Sequence, residues 1–344
     1  MELCTAATRA EYADFVWNHP KGHYLQSPDW ALVKRNWQWA GLIVRTDDGQ
    51  ICGTMSVLIL PKGPTSLCYS PRGPVCDPAD TNTLARLLQD AKRLAKERHA
   101  YVLKLDPDVD SANAAFADCV KAQGYALPQS TSKFGGIQPR RVLRLPLTIT
   151  DPAALMQSFY GKTRYGIRLE QRKGVEVRVE DAGALPAFYA LMQETGARDG
   201  FNIRPLEYFE NFLAAMGDKA RLYMAYYEGD AVSGAIALHH GDKIWYVYGA
   251  STDRHNPIRG NFLMQWTIIQ WALDCGCRLY DFGGVPAEVE GEPVDGLTRF
   301  KRGFYPTVTE FLGEFQFVPS RAAHWAVEKA LPIYTRLRAA HAAQ

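Results

Sequence analysis

Three cations stand close together just after a glycine turn in the C-terminal half of the chain. The run Arg299 to Arg302 follows Gly283-Gly284 and an acidic loop, and we expect Leu279 to Phe282 to form a strand leading into that turn. Glycine turns at strand ends expose backbone and side chains to ligands. Cations just beyond such a turn suit phosphate or a developing oxyanion. Lys301 could therefore serve catalysis, and a solvated basic face is the alternative.

A second pair that could bind anions is Arg204 and Tyr208, which we place at the start of a predicted helix. A spacing of four residues would put both on one helix face. The guanidinium offers a fork for phosphate or carboxylate, and the phenol offers a further donor. The alternative interpretation, a surface arginine beside a half-buried tyrosine, is equally well supported by the sequence alone.

Two aspartates end predicted strands. Asp106, directly before Pro107, could accept a proton from an attacking amine or orient it. It could equally cap a turn, as aspartate before proline often does. Asp281 has the same two interpretations, and there we favour the turn.

The elements that would position these residues occur twice. In both halves the sequence predicts a turn and hairpin strand, a second strand, a helix with apolar residues at helical spacing and a last strand. In the first half these are Ile51–Leu58, Ser66–Tyr69, Thr81–Arg98 and Tyr101–Leu105; in the second they are Ala231–His239, Ile244–Tyr248, Asn261–Cys275 and Arg278–Phe282.

This order resembles the core of the GNAT acyltransferases. We therefore predict an α/β (α+β) protein with tandem GNAT-like domains, each a mixed, mostly antiparallel sheet flanked by helices. The expected domains are 1–146 plus 314–344, and 147–313. A strand over Glu310–Phe315 and a terminal helix over Ser320–Ala343, packed on the first domain, complete the prediction.

Composition narrows the function classes. The length of 344 residues suggests two domains. The net charge of +2 is small for a protein that binds nucleic acid over its whole surface, so any RNA would bind through a local basic patch. Its apolar runs are too short to span a membrane, and the acidic start does not resemble a signal peptide, so we expect a cytoplasmic protein. Seven scattered cysteines, with Cys275-x-Cys277 lacking a second pair, predict reduced thiols and no metal.

The densest basic stretch surrounds Arg164 and Arg168, with Lys162, Arg172 and Lys173 beside them. Their spacing places the two arginines on one helix face. A solvated helix face is the interpretation we favour slightly, and nonspecific contact with RNA phosphate is the alternative.

Several motifs resemble the FemABX family of peptidoglycan-bridge aminoacyltransferases. They are YDFGG at 280–284, GLTRFKRGF at 296–304, GEF at 313–315, SPDWALVKRNW at 27–37, GGIQP at 135–139 and GNFLMQW at 260–266. The resemblance spans nearly the whole chain, and the last segment is its most specific part. No charged heptad segment occurs, so the resemblance is to a short form without a coiled-coil arm.

This resemblance implies a function. An amino acid (Ala, Ser or Gly) would pass from aminoacyl-tRNA to the stem peptide of UDP-MurNAc-pentapeptide or lipid II, without any cofactor. It implies that Lys301 stabilises the tetrahedral intermediate or the tRNA 3′ end, and that Phe300, its partner in the FK pair, binds substrate. Separately from the resemblance, acids at the first helix start would offset its attraction for anions, so we expect the aminoacyl end of the tRNA in the second domain, near Tyr280 to Lys301. We also expect a monomer with peripheral contact to the inner membrane face.

For the acceptor, the resemblance implies contacts from both domains. Lys34 would bind the precursor diphosphate, and Arg204, Tyr208 and Tyr248 would bind the same precursor. An exposed helix lysine and a core strand aromatic are the alternatives for Lys34 and Tyr248.

Two other classes remain open at this point. A CoA-dependent N-acyltransferase of the GNAT type would need a glycine-rich phosphate loop before the helix. Here only Gly260 fits, Pro257 lacks a donor, and the first half offers Asp77 and Asp80, whose charges repel phosphate. A noncatalytic binding module would not need Lys301 or the Arg204–Tyr208 pair.

Overall fold

The computed structural model describes residues 1–129, 132, 134–287 and 294–330. The chain forms two compact units: the first comprises Met1–Arg140 and the chain from Phe311 onward, and the second comprises Arg141–Glu310. Each unit is a mixed sheet flanked by helices. Within the described ranges, no helix combines the length and the apolar character that crossing a bilayer requires.

The first unit begins with a short strand and two short helices and continues into a hairpin. Its elements before residue 140 are β1 (Glu2–Leu3), α1 (Arg9–Asn18), α2 (Pro28–Val33), β2 (Gln38–Arg45), β3 (Ile51–Lys62), β4 (Thr65–Arg72), β5 (Val75–Cys76), α3 (Thr81–Glu97), β6 (Ala100–Pro107) and α4 (Ala114–Ala122). After residue 310 it adds β14 (Phe315–Phe317) and α11 (Arg321–Trp325).

The first sheet has the order β1-β2-β3-β4-β6-β14, with β5 against β3. Strands β2, β3 and β4 pair antiparallel, whereas β4 and β6 are parallel and α3 makes the crossover. Helix α3 forms here because its leucines recur at helical spacing and Asp80 caps its first turn, accepting from the backbone N–H groups of Asn82 and Thr83. Leu84 and Leu87 are fully buried, and each such side chain stabilises the unit by about 1.5–3 kcal/mol.

The second unit contains the rest of the elements. They are β7 (Arg141–Pro146), α5 (Pro152–Ser158), α6 (Gly161–Arg172), β8 (Glu176–Glu180), α7 (Leu185–Asp199), α8 (Leu206–Met216), β9 (Ala220–Tyr227), β10 (Asp230–His240), β11 (Lys243–Ser251), α9 (Asn261–Asp274), β12 (Leu279–Val285), α10 (Gly296–Arg302) and β13 (Thr307–Glu310).

The second sheet repeats the plan of the first. Its order is β13-β7-β12-β11-β10-β9-β8. Strands β9, β10 and β11 pair antiparallel, and β11 and β12 are parallel with α9 as the crossover. Ile268 and Ile269 of α9 are fully buried against this sheet. The predicted repeat of hairpin, strand, helix and strand is therefore present in both units, in two mixed and mostly antiparallel sheets.

Each sheet contains a strand from outside the repeat, next to the last strand of the repeat. Strand β7 follows the first unit in sequence but pairs antiparallel with β12 of the second. Strand β14 follows the second unit but pairs antiparallel with β6 of the first. The expected boundary at 146 consequently differs from the structure, which places Arg141–Pro146 in the second unit.

The prediction of a single strand over Glu310–Phe315 is wrong. Strand β13 ends at Glu310 and pairs with β7, whereas β14 begins at Phe315 and pairs with β6. Gly313, at φ +110°, lies between the two strands, in a conformation that side chains disfavour. Two short strands occur because the two ends of this segment belong to different sheets.

The chain after β14 is helical at its start. Helix α11 packs on β6, where the rings of His324 and Tyr101 have centroids 6.2 Å apart. A π-helical turn follows over Ala326–Ala330. The rest of the predicted terminal helix lies outside the described residues, as does most of the acidic loop before α10.

Candidate active site

The two parallel strands of the second unit separate at their carboxyl ends. Their ladder joins Lys243 to Leu279, Ile244 to Tyr280 and Trp245 to Asp281 and then ends, although β11 continues to Ser251 and β12 to Val285. In the first unit, by contrast, the β4–β6 ladder continues to the ends of both strands. We call the unladdered stretch, Tyr246–Ser251 facing Phe282–Val285, the strand opening.

Lys301 lies at this strand opening. It occupies the last turn of α10, is 5% exposed, and donates from Nζ to the carbonyl oxygen of Gly284 at 3.0 Å. Burial lowers the pKa of Lys301 to about 8, and the charges of Asp281 and Asp295 oppose that effect. The alternative of a solvated basic face is therefore wrong for Lys301.

Asp281 holds the backbone where the ladder ends. One carboxylate oxygen accepts from the N–H of Gly283 at 2.7 Å, and the other pairs with Nε of Arg144 at 2.9 Å. Gly283 has a φ of +79°, so the turn needs glycine. These contacts agree with the turn-forming interpretation of Asp281, and they fix the position of Gly284, the partner of Lys301.

Tyr248, Tyr208 and Arg204 come together in the second unit. Tyr248 is on β11 within the strand opening, and its hydroxyl lies 2.8 Å from that of Tyr208 on α8. The guanidinium of Arg204 lies 5.5 Å from the centroid of the Tyr208 ring. One detail of the prediction is wrong: α8 begins at Leu206, after Pro205, so Arg204 reaches Tyr208 from the preceding loop and not along a shared helix face.

Phe300 is held in an aromatic cluster beside Lys301. Its ring centroid lies 5.0 Å from that of Phe262 on α9 and 5.6 Å from that of Phe304. These contacts fix α10 against α9, so Phe300 positions Lys301. A contact between Phe300 and substrate stays a prediction.

Two predicted site residues belong to the first unit. Lys34 follows α2 as its C-cap residue, and its Nζ lies 4.8 Å from the centroid of the Trp30 ring. Asp106 is buried in the last part of β6, where it accepts from the Tyr69 hydroxyl at 2.5 Å and from the backbone N–H of Arg72 at 2.7 Å. Burial raises the pKa of Asp106 to about 6.

One buried acidic residue of this region, Glu170, was not among the predicted site residues. Glu170, on α6, is 3% exposed and accepts from the backbone N–H of Leu263 at 2.8 Å, in the first turn of α9. Burial raises its pKa to about 7, while the N–H groups of Leu263, Gly260 and Phe262 favour its charged form. The signal was available, because Glu170 is the single acid in the basic sequence GKTRYGIRLEQRK.

Comparison with known proteins places this arrangement in a family. The model of the FemAB family matches residues 7–231 and 227–331. The chain belongs to the FemAB family. A UDP-N-acetylmuramoylpentapeptide-lysine N(6)-alanyltransferase of Weissella viridescens is 35% identical over 317 residues, 89% of this chain and 92% of that protein. A lipid II:glycine glycyltransferase of Staphylococcus aureus is 29% identical, covering 96% of each chain.

Solved structures give the same result for this FemAB-family chain. The crystal structure of FemX superimposes with a TM-score of 0.84 at 28% identity and covers 95% of this chain and all of its own. A tandem GNAT protein from the clavulanic acid biosynthesis pathway gives 0.55 at 14% identity, covering 91% and 95%, which concerns the fold alone. The predicted family, tandem GNAT-like fold and transferase class are thus confirmed.

In this FemAB-family chain the structure groups the predicted site residues by unit. Lys301, Phe300 and Tyr248 lie around the strand opening, and Tyr208 and Arg204 join them through Tyr248. Lys34 and Asp106 lie in the first unit. Their roles in substrate binding and catalysis stay predictions.

Proposed function

We propose that the protein is a tRNA-dependent aminoacyltransferase. It would transfer Ala, Ser or Gly from aminoacyl-tRNA to the side-chain amine at the third residue of a peptidoglycan stem peptide. The acceptor would be UDP-MurNAc-pentapeptide or lipid II. The names of the two relatives, an alanyltransferase and a glycyltransferase, support Ala or Gly as the transferred amino acid and a peptidoglycan precursor as the acceptor.

The observation that carries the proposal is the buried Lys301 at the strand opening. Lysine is rarely buried without a functional or paired role, because removing its charge from water is costly. Within the described part of the chain its ammonium donates to one carbonyl, that of Gly284, and an ammonium has three donors. The others could serve a negatively charged oxygen on a substrate placed at the opening.

Aminoacyl transfer needs a positively charged group beside the ester carbonyl, because a negative charge develops on that oxygen. The neutral acceptor amine attacks the ester carbonyl, the C=O bond becomes a C–O⁻ bond, and an amide forms as the bond to the ribose oxygen breaks. The amine loses a proton, and the departing ribose oxygen gains one. The Lys301 ammonium would stabilise the oxyanion. With its pKa at about 8, it could also give a proton to the ribose oxygen and regain one from the amine.

Acceptor binding would use the tyrosine hydroxyls and the guanidinium of the second unit. The hydroxyls of Tyr208 and Tyr248 lie side by side in one hydrogen bond, and Arg204 adds a positive charge beside them. Diphosphate or carboxylate groups of the precursor fit these donors. Lys34 would supply a cation from the first unit, and Asp106 would accept a proton or orient the amine.

A CoA-dependent reaction is disfavoured by the two crossover helices. In GNAT enzymes of that type the pyrophosphate binds the free N–H groups at a helix start. In this chain Asp80 accepts from the first turn of α3, and Glu170 accepts from the first turn of α9. A pyrophosphate would have to displace a carboxylate at either helix. A noncatalytic binding module would not explain why Lys301 is buried, since burying a lysine is costly.

One assay tests the proposal. Purified protein is given UDP-MurNAc-pentapeptide or lipid II together with labelled alanyl-, seryl- or glycyl-tRNA, or with labelled acetyl-CoA. We expect label in the acceptor from one of the aminoacyl-tRNAs and none from acetyl-CoA. Transfer from acetyl-CoA alone would establish the alternative, and no transfer with any donor would reject an aminoacyltransferase.

A further inference from the structure

One face of α6 is strongly basic and exposed. Lys162, Tyr165, Arg168 and Arg172 are exposed at helical spacing, and we call these four residues the basic face. Tyr165 is 59% exposed. The only acid of the helix, Glu170, points the other way into the contact with α9. The basic face therefore has three cations and no acid of its own helix to neutralise them.

An exposed pair of aromatic rings lies next to this helix. Tyr160, the residue before α6, is 55% exposed, and Tyr305 is 60% exposed. Their ring centroids are 5.6 Å apart in an edge-to-face arrangement. Tyr305 has a φ of +61°, a conformation that is uncommon for bulky residues. We call Tyr160 and Tyr305 the tyrosine pair.

The tyrosine pair is directly connected to the turn that carries Lys301. The backbone N–H of Tyr160 donates to the carbonyl of Gly303 at 2.9 Å, and that of Phe304 donates to the carbonyl of Lys301 at 3.1 Å. A Cβ on Gly303 would lie 2.2 Å from Oγ1 of Thr163, so glycine allows α10 to approach α6 this closely. The basic face, the tyrosine pair and Lys301 thus lie on directly connected elements of the second unit.

We propose that this surface binds the 3′ end of an RNA donor. The bases of the single-stranded end stack on the tyrosine pair, and phosphates of the adjoining stem lie on Lys162, Arg168 and Arg172. The terminal ribose and its ester then reach Lys301 at the strand opening. This inference rests on the proposed function, because it assumes that the donor is an aminoacylated RNA.

Charge and ring exposure favour RNA over a membrane surface. Proteins that hold single strands combine cations along the backbone with aromatic rings under the bases. A helix that lies in a bilayer surface instead needs an exposed apolar face. The apolar face of α6, with Gly166 and Ile167, is already buried against the rest of the second unit. Only its charged and aromatic side is left for a partner.

The first test removes charge. The probe is a short RNA hairpin with a single-stranded 3′ end that carries alanine through a non-hydrolysable amide. Affinity is measured over a range of salt concentrations for wild type, for R168Q/R172Q and for R93Q/K96Q. The control double variant also removes two exposed helix cations, on α3 of the first unit, and so has the same net charge.

We expect R168Q/R172Q to weaken binding and to lower the slope of log K against log salt by about 1.4–1.8, since each phosphate contact contributes about 0.7–0.9. The control R93Q/K96Q should retain the wild-type slope. Equal losses in both double variants would show only the effect of net charge and would overturn the proposal.

The second test removes the rings. Y305A should weaken RNA binding by about 5- to 150-fold, the usual range for one stacked base, whereas Y305F should bind as the wild type does. Unchanged affinity in both Y305A and Y160A would overturn the stacking contact. If the variants instead lose binding to vesicles containing anionic lipid and bind RNA normally, the surface is a membrane contact and the proposal is wrong.

The outcome can be separated from that of the proposed function. A wild type that transfers alanine from tRNA, with variants as active and as tightly bound to RNA, would reject this surface and leave the function standing. A wild type that binds the hairpin with the expected losses in the variants, yet transfers nothing, would support the surface and reject the function.

Discussion

Replacing Lys301 with arginine should change the pH dependence of transfer in a way that follows from its burial. The pKa of Lys301 is lowered from 10.5 to about 8. That difference corresponds to about 3 kcal/mol against the charged form, at 1.36 kcal/mol for each pKa unit. The ammonium therefore exists at pH 7 but is lost within the pH range in which the assay can be run.

Two titrations then decide the rate at low acceptor concentration. The neutral fraction of a lysine-type acceptor amine, with a pKa of about 10.4, rises tenfold per pH unit below that value. The charged fraction of Lys301 falls tenfold per pH unit above about 8. Their product rises up to about pH 8 and is level from there to about pH 10. In K301R the guanidinium stays charged, so any remaining rate should keep rising through that range.

The assay is kcat/KM for the acceptor between pH 6.5 and about 9.5, with spontaneous hydrolysis of the aminoacyl ester measured in parallel without protein. K301A should lose about a hundred- to a thousandfold in turnover at pH 7. Thermal melting of every variant controls for loss of fold. The reasoning is refuted if wild-type kcat/KM rises as steeply above pH 8 as below it, or if K301A keeps near-normal turnover.

The other predictions concern four residues. R204A should weaken UDP-MurNAc-pentapeptide binding by about 10- to 150-fold and Y208F by about 2- to 13-fold, as expected for a charged and a neutral hydrogen bond, with RNA affinity unchanged; calorimetry that finds wild-type affinity in both would leave the pair a structural one. D106N should lower turnover by a hundredfold or more at unchanged melting temperature if Asp106 takes part in proton transfer, and a loss below tenfold would assign it to holding Tyr69 and Arg72. Glu170 has a folded pKa raised from 4.5 to about 7, so its contribution to stability is present below pH 4.5 and is lost as the pH rises to 7; E170Q should remove that loss, and melting curves of equal pH dependence in both proteins would contradict it.

The repeated helices and strands of the fold could be predicted from the sequence, because each has a local pattern and the same order of patterns occurs in both halves. The predicted helix agrees closely with α3, because its leucines, Leu84, Leu87 and Leu88, recur at helical spacing. The predicted strand that contains Asp281 agrees closely with β12. The pairing of β7 with β12 and of β14 with β6 could not be predicted, because strand pairing depends on long-range contacts that periodicity does not encode. The relation of Arg204 to Tyr208 failed in detail for a local reason, since Pro205 delays the start of α8.

For the site, the sequence identified residue types and the structure supplied their environment. The motif around Lys301 marked it as important, but its burial, its bond to Gly284 and its lowered pKa depend on the packing of α10. Glu170 was missed because its hydrogen-bond partner, the N–H of Leu263 on α9, lies 93 residues away in sequence. The end of the β11–β12 ladder likewise has no sequence signature beyond the glycines at 283 and 284.

The pairing of β14 with β6 has a consequence for synthesis on the ribosome. The second unit is one continuous segment, Arg141–Glu310, so all of its strands exist once Glu310 has emerged. The first unit is made earlier, yet β6 lacks its neighbour until β14 is translated; the ion pair of Lys104 with Glu314 spans 210 residues. The part of the protein that is made first is therefore completed last. Throughout translation of the second unit, β6 is an unpaired edge on a nascent chain, open to wrong partners.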